Sequence, residues 1–282
     1  MPRLSAEPHP LDCYSLPVVP ELPDVTLDQE ALERFVGGRE LLDLRLRSVF
    51  LLRSVVPPPN QAKGRRVLGV ERLGKRIVLA LGPSGRPGEG AQLFLVVHLM
   101  IAGRFQWRAA GAALNRRTDL AAFDFEHGTL VLTEAGTKKR AALHVVGSRA
   151  ELLTMARAGL EPLACSFEEF RERVVGAPHT LKRALTMPDL FSGIGNAYSD
   201  EILHRARLSP LQRGRNLTEE ELGRLFEAMR AVLAEWIERL RKETGAGFPS
   251  KVTAFRPEMA VHGRCGEPCP VCAAPVQRIV RA

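Results

Sequence analysis

Two glycines before a predicted helix form the first group of residues that could do chemistry. Gly193 and Gly195 come directly before Asn196, where apolar residues begin to recur with the spacing of a helix. Glycine lets a backbone approach a phosphate closely, and the unpaired N–H groups of a helix start carry partial positive charge. The pattern predicts a phosphate-binding site, and an ordinary helix cap is the alternative.

Two further groups contain an acid and a cluster of thiols. Glu21 stands between Pro20 and Pro23 immediately before the first predicted helix, a common form of helix entry. Near the other end lie three cysteines, at 265, 269 and 272, whereas Cys13 and Cys165 are isolated. This distribution suits a metal site better than a disulfide framework, and it fits a reducing compartment.

The charge of the chain indicates an anionic partner. The 40 Lys and Arg residues outnumber the 32 Asp and Glu residues, which gives a formal charge of +8. Surplus cations raise affinity for polyanions such as nucleic acid, and a basic surface without a partner is the alternative. Because the sequence has no run of ~20 apolar residues and no signal-like N-terminus, we expect a cytoplasmic, nucleoid-associated protein.

The elements that must position these groups fall into a β-rich block and a helical block. Apolar residues from Leu27 to Val36 recur with helical spacing, and Gly37-Gly38 ends that helix. Short apolar runs then predict strands over 66–70, 76–81, 93–99, 121–125 and 129–132. Helices are predicted over 150–158, 166–174, 196–206 and 218–242, the last with a capping box from Thr218 to Glu221.

These patterns predict an α+β multidomain protein. The expected divisions are an irregular extension over 1–19, a β-sandwich or barrel with a leading helix over 20–146, a helical domain over 147–256 and a cysteine-bearing tail over 257–282.

Five blocks of sequence resemble the formamidopyrimidine-DNA glycosylase / endonuclease VIII family, and they occur in the family's order. They are Pro-Glu-Leu-Pro-Asp-Val at 20–25, Arg-Leu-Gly-Lys-Arg at 72–76, His-Leu-Met-Ile-Ala-Gly-Arg at 98–104, Gly-Ile-Gly-Asn-Ala-Tyr-Ser-Asp-Glu at 193–201 and His-Gly-Arg-Cys-Gly-Glu-Pro-Cys at 262–269. The resemblance implies an N-terminal β-sandwich, a helix-two-turn-helix domain and a zinc finger. It also implies a monomeric base-excision repair enzyme, a DNA glycosylase and AP lyase acting on double-stranded DNA with oxidised bases or abasic sites.

The resemblance assigns catalytic roles to Pro20, Glu21 and Lys75. A terminal amine has a pKa of about 8, against about 10.4 for lysine, so far more of it is neutral and nucleophilic at neutral pH. Attack of the proline amine on C1′ expels the base and leaves an iminium that has no N–H to lose. Glu21 is the expected general acid, and Lys75 is expected to approach the lesion phosphate and sugar.

The chain departs from the family at this nucleophile. Pro20 is internal here, and the lone pair of an amide nitrogen is delocalised into the preceding carbonyl. Val19 precedes it, and a GTG valine codon also initiates translation, so we expect that residues 1–18 reflect a misassigned start. If the extension is retained, the alternative is a non-catalytic DNA-damage binder. A defunct gene product is the third possibility.

Other resemblances imply DNA contacts. Lys182 and Asn196, fourteen residues apart, are expected to hold backbone phosphates. Met100 and Ile101 are expected to fill the space left by an extruded base, although both are also ordinary core residues. Thr-Glu-Ala-Gly-Thr-Lys-Lys-Arg at 133–140 replaces the family's Asp-Pro-Arg-Arg-Phe-Gly loop, which leaves open the preference for oxidised purines or pyrimidines. Its cations, Lys138, Lys139 and Arg140, suit a DNA backbone or a solvated turn.

The tail resembles half of the family's zinc finger. The pair Cys269 and Cys272 is present without a second such pair. An unusual four-ligand zinc site that adds Cys265 and His262 is one possibility. A partial finger without metal is the interpretation that we favour.

Overall fold

A computed structural model describes residues 19–83, 92–136, 138–249 and 256–279. The predicted extension up to residue 18, with Cys13, lies outside the described residues, as does Thr137 in the cationic loop.

The first helix, α1 (Leu22–Val36), begins five residues before the predicted Leu27. Its start is fixed by Pro23 in the first turn and by Asp24, whose Oδ2 accepts a 3.0 Å hydrogen bond from the Glu21 N–H. The helix ends before Gly38, which has a φ of +70°. The contact between Glu21 and Asp24, which both precede the apolar pattern, therefore decides where this helix begins.

Within the described residues, nine strands form two antiparallel sheets. Their bounds are β1 Glu40–Leu41, β2 Asp43–Leu46, β3 Arg65–Leu73, β4 Arg76–Leu81, β5 Leu93–His98, β6 Gly103–Arg108, β7 Asp119–Phe125, β8 Gly128–Glu134 and β9 Ala142–Val146. The strand orders are β1-β3-β4-β5-β9 and β2-β7-β8-β6. The predicted β-sandwich is confirmed, and β1, β2, β6 and β9 are strands that the sequence patterns did not single out.

An apolar core lies between the sheets. Side chains such as Leu79, Leu95, Phe123 and Leu130 are fully buried in it, and α1 adds Leu32. The outer face of the first sheet buries a smaller cluster against the helix that follows β9. Because β4 and β5 are covered on both faces, they appear in the sequence as continuous apolar runs rather than as alternating ones.

In the part of the chain that the structure describes, five α-helices follow the sheets. They are α2 Arg149–Thr154, α3 Phe167–Gly176, α4 Leu181–Thr186, α5 Asn196–Ala206 and α6 Glu219–Thr244. The predicted extension of α2 to residue 158 is wrong, because the chain turns there and Leu160 pairs with Phe191. The predicted capping box of α6 is confirmed, since Glu221 N–H donates to Thr218 Oγ1 at 3.2 Å and Thr218 N–H donates to Glu221 Oε2 at 3.0 Å.

Contacts from α1 connect the sandwich to the helices. Leu22 and Leu27 on its far side pack against Ile237 and Leu240 of α6. An ion pair of 2.5 Å joins Arg241 and Glu30 beside them. The start of α1 is therefore held at the junction of the two parts of the molecule. Over the ranges given above, the chain has no helix that meets the length and apolarity needed to cross a membrane.

Candidate active site and DNA interface

The Glu21 carboxylate joins the start of α1 to the start of α5. Pro20 and Glu21 are both buried, Glu21 with only 3% of its surface exposed. Its Oε2 accepts hydrogen bonds from the N–H groups of Gly195 at 2.8 Å and Tyr198 at 3.2 Å, and Oε1 accepts one from Ala197 at 2.9 Å. The positive end of the α5 dipole thus holds Glu21, a residue far from α5 in the sequence that is predicted to be the general acid.

Gly195 is required where Glu21 and Lys75 meet. A Cβ at this position would lie 2.5 Å from Glu21 Cδ and 2.6 Å from Lys75 Nζ, well inside van der Waals contact. Lys75 reaches this point from the turn between β3 and β4, where Gly74 has a φ of +64°. Close side-chain packing, rather than approach of a phosphate, therefore explains this glycine. Glu21 occupies the N–H groups that the sequence offered for a phosphate. A phosphate at this place would therefore be bound by nearby side chains.

Burial governs the electrostatics of the site. It lowers the pKa of Lys75, while the charges of Glu21 and Asp24 act in the opposite direction. Burial also raises the pKa of Asp24 to about 6 and that of Asp28, one turn later on α1, to about 8. Among the described residues, Asp28 Oδ2 has no hydrogen-bond partner. A lysine whose pKa is lowered and an acid whose pKa is raised to about 6 therefore lie close to Glu21.

The predicted wedge residues lie in a tight turn after β5. Met100 adopts the left-handed region with a φ of +56°, and both Met100 and Ile101 are partly buried. Gly103 N–H donates to Leu99 O at 2.9 Å, and a Cβ on this glycine would lie 2.2 Å from the same oxygen. At the strand end, burial and the charges of Arg76 and Lys75 lower the pKa of His98 to about 4. This imidazole is therefore neutral at physiological pH.

The cationic loop after β8 is organised by Glu134. Its carboxylate accepts hydrogen bonds from the N–H groups of Arg140, the nearer at 2.9 Å, and Ala141 at 3.1 Å. Lys139 donates to the carbonyl of Arg117 at 3.0 Å and to that of Glu134. The Lys139 ammonium thus joins two loops, and its contact with DNA stays a prediction. Lys138 and Arg140 are exposed.

The predicted pair Lys182 and Asn196 is brought together at the start of α5. Lys182 Nζ donates to the Asn196 carbonyl at 2.6 Å, and the Asn196 residue is exposed. The same ammonium lies 2.5 Å from Asp200 Oδ1, a partner that sequence reasoning missed. A carboxylate four residues after Asn196, on the same helix face, was the available signal.

The tail is anchored to α5 by carboxylates. Glu201 accepts hydrogen bonds from the N–H groups of Ala260 at 2.8 Å and of Val261 and His262 at 2.9 Å. The buried His262 ring places Nδ1 2.8 Å from Asp200 Oδ2. These contacts, between residues about 60 positions apart in sequence, hold the tail against α5.

The cysteines of the tail do not form the four-ligand set considered for zinc. Within the residues that the structure describes, no three His, Cys, Asp or Glu side chains are grouped so as to hold a metal ion. Cys265 and Cys272 are exposed, whereas His262 is buried against α5. Cys269 Sγ instead lies 3.3 Å from Nε2 of His204, and nearby N–H groups and this ring lower its pKa to about 6. A closed zinc site needs four ligands, so the arrangement does not fit one.

Comparison with known proteins agrees with this architecture. The family model of the formamidopyrimidine-DNA glycosylase N-terminal domain matches residues 19–149, and that of the formamidopyrimidine-DNA glycosylase H2TH domain matches residues 158–246. The second match covers α3 to α6 and confirms the helix-two-turn-helix domain.

Curated relatives match over nearly the whole chain. Formamidopyrimidine-DNA glycosylase of Thermus thermophilus is 36% identical over 270 residues, 94% of each chain. The enzyme of that name from Bordetella petrii is 31% identical and covers 93% of this chain and 95% of its own. The chain belongs to the formamidopyrimidine-DNA glycosylase family.

Solved structures share the fold. The crystal structure of the MutM (Fpg) protein from Thermus thermophilus is 35% identical with a TM-score of 0.73, covering 93% of this chain and 94% of that one. A complex of Lactococcus lactis Fpg with DNA containing an abasic site superposes with a TM-score of 0.79 at 22% identity, over 93% of this chain and 95% of that one.

Proposed function

We propose that this protein is a base-excision repair DNA glycosylase with AP lyase activity, which removes oxidised bases from double-stranded DNA. The observation that carries the proposal is the Glu21 carboxylate, held beside Pro20 by the start of α5 and packed with Lys75 against Gly195. Relatives named formamidopyrimidine-DNA glycosylase and structural neighbours solved with DNA containing an abasic site support the same assignment. We place its action in the cytoplasm, on chromosomal DNA.

The proposed reaction starts at the nitrogen of Pro20. As a free secondary amine, it attacks C1′ of the damaged nucleotide, and the C–N bond to the base breaks. The proline nitrogen then loses its proton, and the C1′–O4′ bond breaks with the ring oxygen leaving as a hydroxyl, which gives an iminium. This iminium carries no N–H, so it stays cationic and withdraws electrons from the sugar. Loss of a C2′ proton then allows the phosphate to leave. The step requires that the active form of the chain begin at Pro20.

Glu21 and Lys75, which meet beside Gly195, assist the reaction. Glu21 protonates the sugar ring oxygen as the glycosidic bond breaks, a role that needs a carboxyl group fixed beside the reacting centre. In this step, the Glu21 carboxyl group gives up its three N–H partners, takes up a proton and contacts the substrate. Lys75 stabilises the negative charge of the lesion phosphate, and burial strengthens that interaction.

DNA is bound through phosphates and through the turn after β5. Lys182, Asn196, Lys138 and Arg140 bind the backbone without reading sequence, as an enzyme that searches for lesions requires. Met100 and the adjacent Ile101 occupy the space left by the extruded nucleotide. Partial burial of the two side chains limits the loss of conformational freedom when DNA binds.

A panel of duplexes tests the proposed activity. The chain beginning at Pro20 is incubated with matched duplexes that carry one oxidised purine, one oxidised pyrimidine, one abasic site or no lesion. Base release and strand cleavage on at least one oxidised duplex are the expected results. If the abasic duplex alone is cleaved, the protein is a lyase and the glycosylase assignment is wrong.

A second candidate function is a DNA-damage binder without catalysis. The observation that favours it is the peptide bond between Val19 and Pro20, which removes the nucleophile. N-terminal sequencing of the native protein distinguishes the two functions. An N-terminus at Pro20 supports the enzyme, and a retained extension supports the binder.

Duplex binding should be strongly salt-dependent. Lys75, Lys138, Arg140 and Lys182 are proposed to neutralise phosphates, so the slope of log affinity against log salt is expected to be about −3 to −4. Lys138→Ala should reduce the slope by about one. The control is Lys63→Ala, because this exposed ammonium already lies 3.6 Å from Asp43. Equal slopes for wild type and Lys138→Ala, measured by fluorescence anisotropy, would exclude this phosphate contact.

We also propose that the tail is held without zinc, through Glu201. Elemental analysis should find far less than one zinc per chain, and a chelator should leave the thermal unfolding midpoint unchanged. Glu201→Gln should lower the stability by about 1–3 kcal/mol, because three buried hydrogen bonds lose their charged acceptor. Stoichiometric zinc together with a midpoint that falls on chelation would contradict this proposal.

A further inference from the structure

A chain of three polar side chains runs from the tail to the start of α5. His262 Nδ1 lies 2.8 Å from Asp200 Oδ2, and Asp200 Oδ1 lies 2.5 Å from Lys182 Nζ. Lys182 then reaches the carbonyl of Asn196 at 2.6 Å. A residue next to the cysteine cluster is thus connected, through a single carboxylate, to the proposed phosphate-binding lysine.

Each oxygen of the Asp200 carboxylate is assigned to a different partner. An ammonium has three N–H donors, and in the described part of the chain the donors of Lys182 meet Asp200 Oδ1 and the Asn196 carbonyl. One donor therefore remains for a phosphate oxygen. The hydrogen bond from His262 and the charge of Lys182 lower the pKa of Asp200 despite its burial, so the carboxylate is ionised when DNA binds.

The His262 ring is the fixed end of this arrangement. Only 7% of the residue is exposed, and its own N–H donates to Glu201 Oε1 at 2.9 Å. The Glu201 carboxylate also holds the two residues before it, so the backbone at His262 is anchored to α5. Asp200, at 34% side-chain exposure, is by contrast free to turn if one of its partners is lost.

Loss of the His262 donor changes what Asp200 offers to Lys182. Both carboxylate oxygens then turn to the ammonium, because Lys182 is the cation already in contact with Asp200 and attracts the oxygen that has lost its donor. Two of the ammonium donors are then held by Asp200, and the ammonium is drawn away from the Asn196 carbonyl. The charge of Lys182 is unchanged, but its remaining donor is moved away from the start of α5, where the phosphate is proposed to bind.

We propose that His262 is a positioning residue for DNA binding, which acts through Asp200 to aim Lys182 at a backbone phosphate beside the start of α5. This inference rests on the proposed DNA-binding function and deepens it. It couples the fold of the tail to the phosphate contact of the helix-two-turn-helix domain.

Two variants of His262 distinguish the effect of its hydrogen bond from the effect of its aromatic ring. His262→Phe keeps an aromatic ring and removes the donor, whereas His262→Asn loses the ring and keeps an N–H near the position of Nδ1. Binding of the 282-residue chain to a duplex with a tetrahydrofuran abasic-site analogue is measured by anisotropy between ~50 and ~200 mM salt. Lys182→Ala and the double variant with His262→Phe complete the cycle, and thermal unfolding confirms that each variant is folded.

We expect the affinity for DNA to depend on whether position 262 supplies a hydrogen-bond donor to Asp200. His262→Phe should weaken binding about three- to tenfold, and its salt slope should be smaller by about one, as in Lys182→Ala. His262→Asn should stay within about twofold of wild type. In the Lys182→Ala background, His262→Phe should have no further effect.

Two results would overturn the inference. One is an unchanged salt slope in His262→Phe, and the other is an equal loss of affinity from this variant with and without Lys182. If His262→Phe does not fold, a full loss of affinity in the folded His262→Asn variant overturns it as well. Failure of the wild-type chain to bind the duplex at all would instead refute the proposed function.

Discussion

A chain that begins at Pro20 should form a covalent adduct with an abasic-site duplex in the presence of borohydride, and the 282-residue chain should not. The amide nitrogen of an internal proline has no available lone pair, whereas the same nitrogen at the terminus is a secondary amine. Borohydride reduces the iminium to a stable amine that gel electrophoresis detects. We expect trapping by the long chain to be lower by roughly a hundredfold or more.

The control for this comparison is Pro20→Gly in the short chain. Glycine supplies a primary amine at the same position, so trapping should persist at a reduced rate. The mass of the long chain must be verified before and after the assay, because proteolysis to Pro20 would imitate activity. Equal trapping by an intact long chain would mean that Pro20 is not the nucleophile and that an amine such as Lys75 has this role.

The second large effect is expected from the Glu21 carboxyl group. Glu21→Gln should lower base excision on an intact lesion by about 10²–10⁴-fold, because the amide cannot protonate the sugar ring oxygen. Cleavage of a preformed abasic site should be much less affected, since the base has already left. Quenched-flow measurement of base release and of strand cleavage on the two substrates gives both rates.

A steric variant tests the geometry that holds this acid. Gly195→Ala places a Cβ 2.5 Å from Glu21 Cδ and 2.6 Å from Lys75 Nζ, so both groups must move and both activities should fall. Gly223→Ala in α6 is the matched control, because a Cβ there meets nothing within 4 Å. Excision by Gly195→Ala at the rate of Gly223→Ala would show that the observed packing is not the active arrangement.

The sequence predicted the elements with strong periodicity. The strands at 76–81 and 93–98 and the long helix α6 were expected within a few residues of their observed bounds. The six-residue helix α4 was missed, because so short a segment has less than two turns of apolar pattern. The early start of α1 was missed because Asp24 fixes it through a hydrogen bond rather than through apolar spacing.

The candidate site also contains residues that a sequence pattern predicted and contacts that no pattern indicated. The motifs predicted a set of candidate residues, namely Pro20, Glu21, Lys75, Lys182 and Asn196. Their partners were not predicted, since contacts such as Glu21 with the start of α5 join residues 174 or more positions apart.

Polar anchors were the least visible feature in the sequence. No sequence pattern gave Glu134 or Glu201 a structural role, yet each organises a loop through backbone N–H groups. Lys139 was predicted to contact DNA because it lies among cations, and the two backbone carbonyls that its ammonium binds were not foreseen. Donors and acceptors supplied by the backbone leave no trace in residue type, so only the folded structure reveals them.

Peptide mapping of the trapped adduct tests the central claim most directly. The chain beginning at Pro20 is reduced onto an abasic-site duplex, digested with protease and nuclease, and sequenced by tandem mass spectrometry. We expect the sugar remnant on the nitrogen of Pro20, in the peptide that begins Pro-Glu-Leu-Pro-Asp-Val. A remnant on Lys75, or on any other lysine, with Pro20 unmodified would contradict the proposed mechanism.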